Sequence, residues 1–180
     1  MPAAASRSLH LVSRRRRRSE RDRSIVRRVV VSVDTHAPLE FVDITAALSR
    51  AVDEAGLCEG LLVAQTRHTT TGLLINEHEP LLLADLEALF ERLAPAAAAY
   101  AHDDFSRRVV NLMPAERRNG QAHCRAALLR TSESLSVTDG RLDLGRWQRV
   151  FLVDFDGGQR REVALTLMGN AREQGSGIRG

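Results

Sequence analysis

Lysine is absent from this 180-residue chain, and all 26 of its basic side chains are arginine. Aromatic residues make up only 4%, so leucine, valine and alanine must fill most of the core. Two cysteines, Cys58 and Cys124, are too few for a disulfide framework or a thiolate metal cluster, and they predict a reducing compartment. No apolar run approaches the roughly 18–20 residues that span a bilayer, and no secretory signal pattern is present. These absences predict a cytoplasmic protein without a membrane segment.

Sequence signatures of the common enzyme classes are absent as well. The chain contains no Walker loop, no GxSxG elbow, no HExxH pair and no GxGxxG turn. Any catalytic or binding site must therefore be assembled from shorter polar segments.

Positive charge is concentrated at the N-terminus. Residues 1–24 hold eight arginines against Glu20 and Asp22, although the whole chain has a net charge of only +3. Charge repulsion and few apolar residues predict a disordered tail over residues 1–23. Such a tail is either a nucleic-acid or membrane-surface arm, or a solvated extension without a partner. We predict a single domain over residues 24–169 and a flexible tail over residues 170–180.

The order of the predicted elements indicates an α+β fold. β-Branched residues predict a first strand, helical spacing predicts two main helices and a shorter one, and the last third is rich in strands. This order lacks the regular alternation of a doubly wound sheet, and it predicts an antiparallel β-sandwich-like core with two main helices packed outside. The predicted strands cover residues 25–33, 60–66, 69–75, 135–137, 150–155 and 162–168, and the predicted helices cover 44–55, 80–94 and 122–129. The turn sequence Asp156-Gly157-Gly158 predicts that the last two strands form a hairpin.

Four short segments concentrate side chains that could hold a ligand, and the first follows the strand that ends near residue 66. Here His68 precedes Thr69 and Thr70, which places an imidazole beside hydroxyl and backbone donors. Such a set suits an anion or a phosphoryl oxygen. The threonines are equally explained as β-branched residues chosen for packing.

The second segment lies directly before the long helix. Asn76 and Glu77 either point into a site or belong, with His78 and Glu79, to the group that caps the helix and complements its dipole. The sequence leaves both interpretations open.

The third and fourth segments add two more histidines. A carboxylate such as Asp103 beside His102 can fix the tautomer of an imidazole and raise its pKa toward neutrality, or join it as a metal ligand. Asn119 and His123 lie four residues apart and share one face of a helical turn. A solvated loop and a capping asparagine explain these segments equally well. If His68, His102 and His123 face one hollow, they form either a tris-imidazole metal site or a metal-free acid–base cluster around an oxyanion.

Taken together, these ordered motifs resemble the secondary thiamine-phosphate synthase family of the YjbQ type. The resemblance runs from about Ser24 to Gly169 and leaves out both tails. It rests on His68-Thr69-Thr70 through Gly72-Leu73, Ile75-Asn76-Glu77, Tyr100 with His102-Asp103, Asn119-Gly120 with Ala122-His123, and finally Leu144-Gly145 with Trp147-Gln148.

The resemblance implies a β-sandwich-like fold, a homotrimer with its site near the subunit interfaces, and weak thiamine-phosphate synthase activity. That reaction joins a hydroxymethylpyrimidine diphosphate to a thiazole phosphate and releases pyrophosphate. It implies catalytic roles for His68, His102, Asp103 and His123, substrate contacts from Thr69, Thr70, Asn76, Glu77 and Asn119, and a divalent metal such as Mg or Zn on His102 and His123. Thr71 and Arg130 depart from the family pattern and leave the substrate detail open. The alternatives are a non-catalytic metal- or phosphometabolite-binding protein, and nucleic-acid binding through the arginine-rich tail.

Overall fold

The computed structural model describes residues 22–172, and at its two end residues only the backbone. The predicted N-terminal and C-terminal tails therefore lie outside the described residues, apart from residues 22–23 and 170–172. Those five residues belong to paired strands, so the sheet extends slightly beyond both predicted domain boundaries.

Two antiparallel sheets form the framework. The larger has the strand order β1-β8-β3-β5-β6 and the smaller has the order β2-β7-β4. The strands are β1 (Asp22–Asp34), β2 (Glu40–Asp43), β3 (Leu57–Thr66), β4 (Thr71–Glu77), β5 (Ser132–Thr138), β6 (Arg141–Leu142), β7 (Gln148–Asp154) and β8 (Arg160–Arg172); the helices are α1 (Thr45–Ala55), α2 (Pro80–Leu93) and α3 (Gly120–Ala126), with a 3₁₀ helix at Ala101–Asp103. The predicted α+β, sandwich-like fold is confirmed.

The smaller sheet is buried on both faces. Val150 and Leu152 of β7 pack with α1 and the larger sheet, whereas Phe151 and Val153 pack with the cluster that includes Phe90 of α2. This follows from the alternation of side chains along a strand. Burial of both faces explains why residues 150–153 are all apolar instead of alternating between apolar and polar. The second cluster also contains Ala122 and Ala126, which seat α3 on the same sheet face.

The two main helices begin and end as their sequences predict. Gly56 follows α1 with a φ of 63°, the left-handed conformation that glycine adopts most readily. Pro80 occupies the first turn of α2, and the Glu79 carboxylate caps it by accepting hydrogen bonds from the Leu81 and Leu82 amides at 2.9 and 2.7 Å. The capping interpretation of Glu79 is therefore confirmed.

The predicted hairpin between the last two long strands is wrong. β7 pairs with β2 and β4 in the smaller sheet, whereas β8 pairs with β1 and β3 in the larger one. The glycine-rich connection therefore crosses between sheets. It passes so close to Ala37 that a Cβ on Gly157 would lie 1.7 Å from the Ala37 carbonyl oxygen. The glycines serve this close approach, which the sequence pattern does not distinguish from a tight turn.

Four further differences concern short elements. The sequence analysis missed the four-residue strand β2, the two-residue strand β6 and the 3₁₀ helix, and it placed the start of α3 two residues too late. Each of these elements is short, and its conformation depends on contacts with distant residues rather than on its own periodicity. None of the described helices is long and apolar enough to cross a membrane.

A buried ion pair holds the crossing between the sheets. The Arg161 guanidinium donates to both carboxylate oxygens of Asp154, from Nε at 2.7 Å and from Nη2 at 2.9 Å. The two side chains are 5% and 0% exposed. Thr35 donates a further hydrogen bond to Asp154 at 2.7 Å. Burial alone would raise the pKa of Asp154, but these hydrogen bonds, one from the Asp156 amide and the charge of Arg161 together lower it.

Replacement of Asp154 by alanine should therefore destabilise the protein strongly, because it leaves the Arg161 charge buried without a partner. We expect a loss of about 3–5 kcal/mol in the free energy of unfolding at pH 7, measured by urea denaturation. Because the folded-state pKa is lowered, the contribution of Asp154 is fully present above its unfolded-state pKa of about 3.9 and is lost as the pH falls through the folded value.

The matched control is Glu162→Ala, which removes a half-exposed carboxylate beside Arg161 on the same strand. Its exposed ion pair with Arg67 contributes at most about 1 kcal/mol. Equal losses in the two variants, or a loss for Asp154→Ala that persists unchanged at pH 3, would contradict the assigned role of the ion pair.

Candidate functional site

The segment that carries His68 is fastened to the start of β8. The imidazole Nε2 accepts a hydrogen bond from the Glu162 amide at 2.8 Å. The Thr70 carbonyl accepts from the Phe155 amide at 3.1 Å, and the Thr70 hydroxyl lies 3.3 Å from Arg161 Nη2. The motif therefore lies directly over the crossing between the sheets, with Thr70 buried and Thr69 exposed.

His68 is held as a neutral imidazole. An Nε2 that accepts a hydrogen bond carries no proton, so the proton of the neutral ring lies on Nδ1. Burial and the positive charge of Arg161 lower the pKa of His68 below its usual value.

His102 and His123 form a pair. Their ring centroids lie 4.6 Å apart at an interplanar angle of 59°. His102 comes from the 3₁₀ helix and His123 from α3, so elements about twenty residues apart in the sequence converge here. Burial and the neighbouring His102 lower the pKa of His123, and the Asp156 carboxylate only partly offsets them. A lowered pKa favours the neutral ring, which is the form that binds metals and accepts hydrogen bonds.

Asp103 fixes the distance between the two elements that carry the imidazoles. Its Oδ1 accepts hydrogen bonds from the Asn119 and Gly120 amides, both at 2.9 Å, at the start of α3. Gly120 is required for this approach, because a Cβ there would lie 2.4 Å from the Cβ of Tyr100. The structure thus places the Asp103 carboxylate on the backbone of α3, where it positions His123 indirectly.

Arg125 anchors the other side of α3. Its side chain is 6% exposed, its Nε donates to the Ala94 carbonyl at 2.9 Å, and Nη2 pairs with Glu91. Because Ala94 follows the last residue of α2, this arginine ties α3 to the end of the long helix. His123 is therefore presented from a helix that is fixed at both ends.

Two polar atoms beside the imidazole pair are buried without a hydrogen-bond partner among the described residues. They are Nε2 of His102 and Oδ1 of Asn119. The amide nitrogen of Asn119 does have a partner, since it donates to Asp156 Oδ2 at 3.0 Å. Buried polar atoms without partners are rare, so these two atoms make the surroundings of the histidine pair a candidate ligand site.

Arginines lie on the solvent side of this pair. A cavity of about 480 Å³ is lined by Ala101, His102, Arg107, Arg108, Val110 and Asn111. Arg108 is held by Glu116 at 2.6 Å, and the Met113 amide and Arg108 lower the pKa of that carboxyl. Arg107 is largely exposed and lies 4.0 Å from Asp104. The cavity wall that adjoins His102 therefore presents cations, which suits an anionic group.

A second cavity lies beside the Asp103 carboxylate. It has a volume of about 630 Å³, and its lining includes Tyr100, Asp103, Arg118 and Gln121. Asp103 therefore lies between the start of α3 and this cavity, which neither His102 nor His123 lines.

The predicted convergence of three imidazoles is only partly present in one chain. His102 and His123 come together with Asn119, whereas His68 is linked to them indirectly, because Arg161 contacts both Thr70 and the Asp156 carbonyl. Within the described range, no group of three His, Cys, Asp or Glu side chains could hold a metal ion. Residues 22–172 of a single chain therefore do not form a tris-imidazole site.

Asn76 and Glu77 lie far from His68 within one chain. In the ladder between β4 and β7, Thr71 pairs with Asp154 and Glu77 pairs with Gln148. At about 3.3 Å per residue, Glu77 lies roughly 20 Å from the end of the sheet that carries the ion pair. The Asn76 side chain accepts from the Glu77 amide at 2.9 Å. One chain leaves these two residues at the opposite end of the sheet.

Sequence analysis missed the residues that hold the site together. Asp154, Asp156 and Arg161 lie in or beside strands, where their charges give no periodic signal. The one available clue was an aspartate and an arginine inside otherwise apolar strand sequence, since charges buried in a sheet are paired. Arg108, Arg117 and Arg125 resemble the other arginines of a lysine-free chain and could not be singled out.

Comparisons with known proteins give the family. A family model described as "UPF0047 protein YjbQ-like" matches residues 29–170. A UPF0047 protein of Archaeoglobus fulgidus is 36% identical over 138 residues, covering 77% of this chain and 98% of the relative. One of Methanothermobacter thermautotrophicus is 33% identical over 135 residues, covering 75% and 87%.

Solved structures agree with the fold. A YbjQ-like protein of Sulfolobus solfataricus superposes with a TM-score of 0.73 at 26% identity, covering 82% of this chain and 99% of that one. A YjbQ/UPF0047 family protein of Clostridium acetobutylicum gives a TM-score of 0.67 at 30% identity, covering 77% and 98%. These matches confirm the YjbQ-like UPF0047 part of the predicted family. None of these relatives is named for thiamine-phosphate synthesis or for any other reaction.

The hydrogen bond to the Glu162 amide makes a direct prediction about His68. We expect the ring to be the Nδ1–H tautomer and to be neutral at pH 7, because its pKa is lowered and protonation of Nε2 would break this bond. Two-bond ¹H–¹⁵N correlation spectra of ¹⁵N-labelled protein report the tautomer of each histidine directly. His68→Ala identifies the resonance. A proton on Nε2 at pH 7 would contradict the observed contact.

Proposed function

Because the chain belongs to the YjbQ-like UPF0047 family, we propose that it is a transferase that acts on small phosphorylated metabolites and has weak thiamine-phosphate synthase activity. In that reaction, the thiazole phosphate forms a bond to the methylene carbon that joins the pyrimidine ring to the diphosphate. The bond between this carbon and the diphosphate oxygen breaks, and its electron pair leaves on pyrophosphate. The second substrate is a thiazole phosphate. We propose that the physiological reaction belongs to the same class of group transfer but differs from the thiamine-phosphate synthase reaction itself.

The observation that carries the proposal is the pair of imidazoles formed by His102 and His123, because His102 lies in the wall of a cavity lined by arginines. Departure of diphosphate builds negative charge on the leaving oxygen, and preorganised cations and N–H donors lower the barrier by stabilising that charge. Arg107 and Arg108 provide the cations at the cavity wall, and His102 contributes to the same wall. A purely structural histidine pair would be expected to have its buried nitrogens satisfied, whereas Nε2 of His102 has no partner among the described residues.

The remaining roles follow from position. His68, Thr69 and Thr70 lie at the crossing between the sheets and would contact phosphate oxygens there, with Arg161 and Asp154 fixing the loop. As a neutral ring whose Nε2 is engaged, His68 would use Nδ1–H as a donor to phosphate.

A divalent metal fits the site incompletely within one chain. The Nε2 of His102 and a nitrogen of His123 are suitable ligand atoms, and the two imidazoles favour zinc over magnesium. Bound there, the metal would act as a Lewis acid toward a phosphate oxygen. The chain's own contribution is to hold the two rings in alignment, which Asp103 and Arg125 achieve through α3.

A homotrimer would resolve the position of Asn76 and Glu77. In one chain these residues lie at the far end of the smaller sheet, so they could join the imidazole pair only if a second copy supplied them. We therefore propose a site at the subunit interface. A cytoplasmic location is part of the same proposal, because free Cys58 and Cys124 suit a reducing compartment.

The second candidate is a non-catalytic protein that binds a metal or a phosphorylated metabolite at the same site. The unpartnered atoms favour a ligand but do not by themselves demand turnover. Nucleic-acid binding would depend on the arginine-rich tail, which lies outside the described residues.

Removal of either imidazole should abolish turnover without unfolding the protein. For His102→Ala and His123→Ala we expect a loss of about 100-fold or more in kcat/KM, since each removes a group that acts on the reacting phosphate or on the metal. Turnover is measured as pyrophosphate release from the pyrimidine diphosphate in the presence of thiazole phosphate. Circular dichroism and analytical ultracentrifugation should show unchanged fold and assembly.

His36→Ala is the matched control, because it removes an exposed imidazole whose only described partner is Glu40 at 3.9 Å. It should leave turnover unchanged. Full turnover in both imidazole variants would refute the catalytic roles. Binding of the substrates without any turnover in the unmodified protein would favour the non-catalytic alternative.

A further inference from the structure

The side-chain amide of Asn119 has a fixed orientation. Its Nδ2 donates to Oδ2 of Asp156 at 3.0 Å. A carboxylate only accepts hydrogen bonds, so the amide nitrogen, and not the amide oxygen, must face Asp156. The oxygen is therefore turned the other way, where it is buried without a partner among the described residues.

Asp156 is itself held firmly. Its amide donates to Oδ1 of the buried Asp154 at 3.0 Å, and its carbonyl accepts from Arg161 Nη2 at 2.8 Å. Its carboxylate pairs with Arg117 at 3.1 Å and accepts from Gln159 Nε2 at 3.3 Å. The hydrogen-bond network around the ion pair of Asp154 and Arg161 thus extends through Asp156 to Asn119. Rotation of the Asn119 amide would break its hydrogen bond to the Asp156 carboxylate.

A buried oxygen without a partner discriminates between ligands. A ligand that places an N–H donor against it restores the lost hydrogen bond, whereas a ligand that presents only acceptors leaves it unsatisfied or repels it. A fully ionised phosphate or diphosphate has no donor to offer. The group that meets Asn119 is thus a different part of the ligand from the group that meets Arg107 and Arg108 in the adjoining cavity.

We propose that Asp156 is a positioning residue that turns the Asn119 carbonyl oxygen toward the ligand, where it accepts a hydrogen bond from an amino group on the pyrimidine ring of the diphosphate substrate. This rests on the proposed function. It specifies the substrate contact that was expected of Asn119, because a fully ionised phosphate offers the oxygen no donor. Asp156 touches no reacting atom in this arrangement and acts only through Asn119.

The test compares two pyrimidine diphosphates, one with the amino group and one with hydrogen in its place. We expect the unmodified protein to prefer the amino compound by about tenfold or more in kcat/KM, since loss of the donor leaves the oxygen unpaired. Asp156→Ala should bring this preference close to unity. A merely structural effect would lower the rate on both compounds equally and leave their ratio unchanged.

Three further variants complete the comparison. Asp156→Asn should keep the preference, because its side-chain oxygen can still accept from Asn119 Nδ2. Asn119→Ala should lose it with Asp156 in place, and it tests the proposal even if Asp156→Ala fails to fold. Asp85→Ala removes an exposed carboxylate on α2 and should change neither rate nor ratio.

The proposal is overturned if the unmodified protein shows no preference, or if Asp156→Ala or Asn119→Ala retains it. Absence of turnover on both compounds refutes the proposed function separately. In that case, titration calorimetry with the same two compounds decides: a tighter Kd for the amino compound that Asp156→Ala abolishes supports the role of Asp156. Equal Kd values, or binding of neither compound, overturn it.

Discussion

The buried ion pair between Asp154 and Arg161 is the constraint on which the site depends. It lies where the chain passes from the smaller sheet to the larger one, and both charges are removed from water. A pair in that position is costly to desolvate and strongly destabilising if broken, so its neighbours must satisfy every remaining polar atom. Thr70, which belongs to one family motif, contacts Arg161 on one side, and the Asp156 carbonyl contacts it on the other. The Asp156 carboxylate in turn binds Asn119, which belongs to a second motif. One interaction thereby relates two motif segments that are about fifty residues apart.

Two histidines of the site, His68 and His123, lie in environments that favour the neutral ring. His68 is held by an amide donor and by the nearby positive charge of Arg161, and His123 is held by burial and by a second imidazole. Positive charge at this site comes instead from arginine, which remains protonated in any environment a protein provides. The arginines and the imidazoles therefore differ in their chemical roles. In the proposed site, the arginines would face the anionic part of a ligand, while the imidazoles would serve as metal ligands and the amide oxygen as a hydrogen-bond acceptor.

The sequence predicts the parts of this structure that are local. Gly56 and Pro80 mark helix ends because their backbone preferences do not depend on distant contacts, and the paired histidines could be proposed from ordered motifs. The sheet crossing could not be predicted, because Asp156-Gly157-Gly158 has the same composition whether it closes a hairpin or passes close to Ala37. Asp103 was expected beside an imidazole, yet its carboxylate binds the backbone of α3 instead. Asn76 and Glu77 belong to the same set of motifs as His68, but they lie at the other end of β4. The pairing register of β4 with β7, and not their closeness to His68 in the sequence, sets this separation.

The central claim is that His102, His123 and Asn119 form one ligand site whose geometry is set by the crossing between the sheets. The most direct measurement is a crystal structure of the assembled protein with a non-hydrolysable pyrimidine diphosphate analogue. The account predicts the ring beside Asn119 Oδ1, the diphosphate toward Arg107 and Arg108, and Asn76 and Glu77 of a second copy completing the site. An analogue bound away from the imidazole pair, with the Asn119 oxygen still unpartnered, would contradict it.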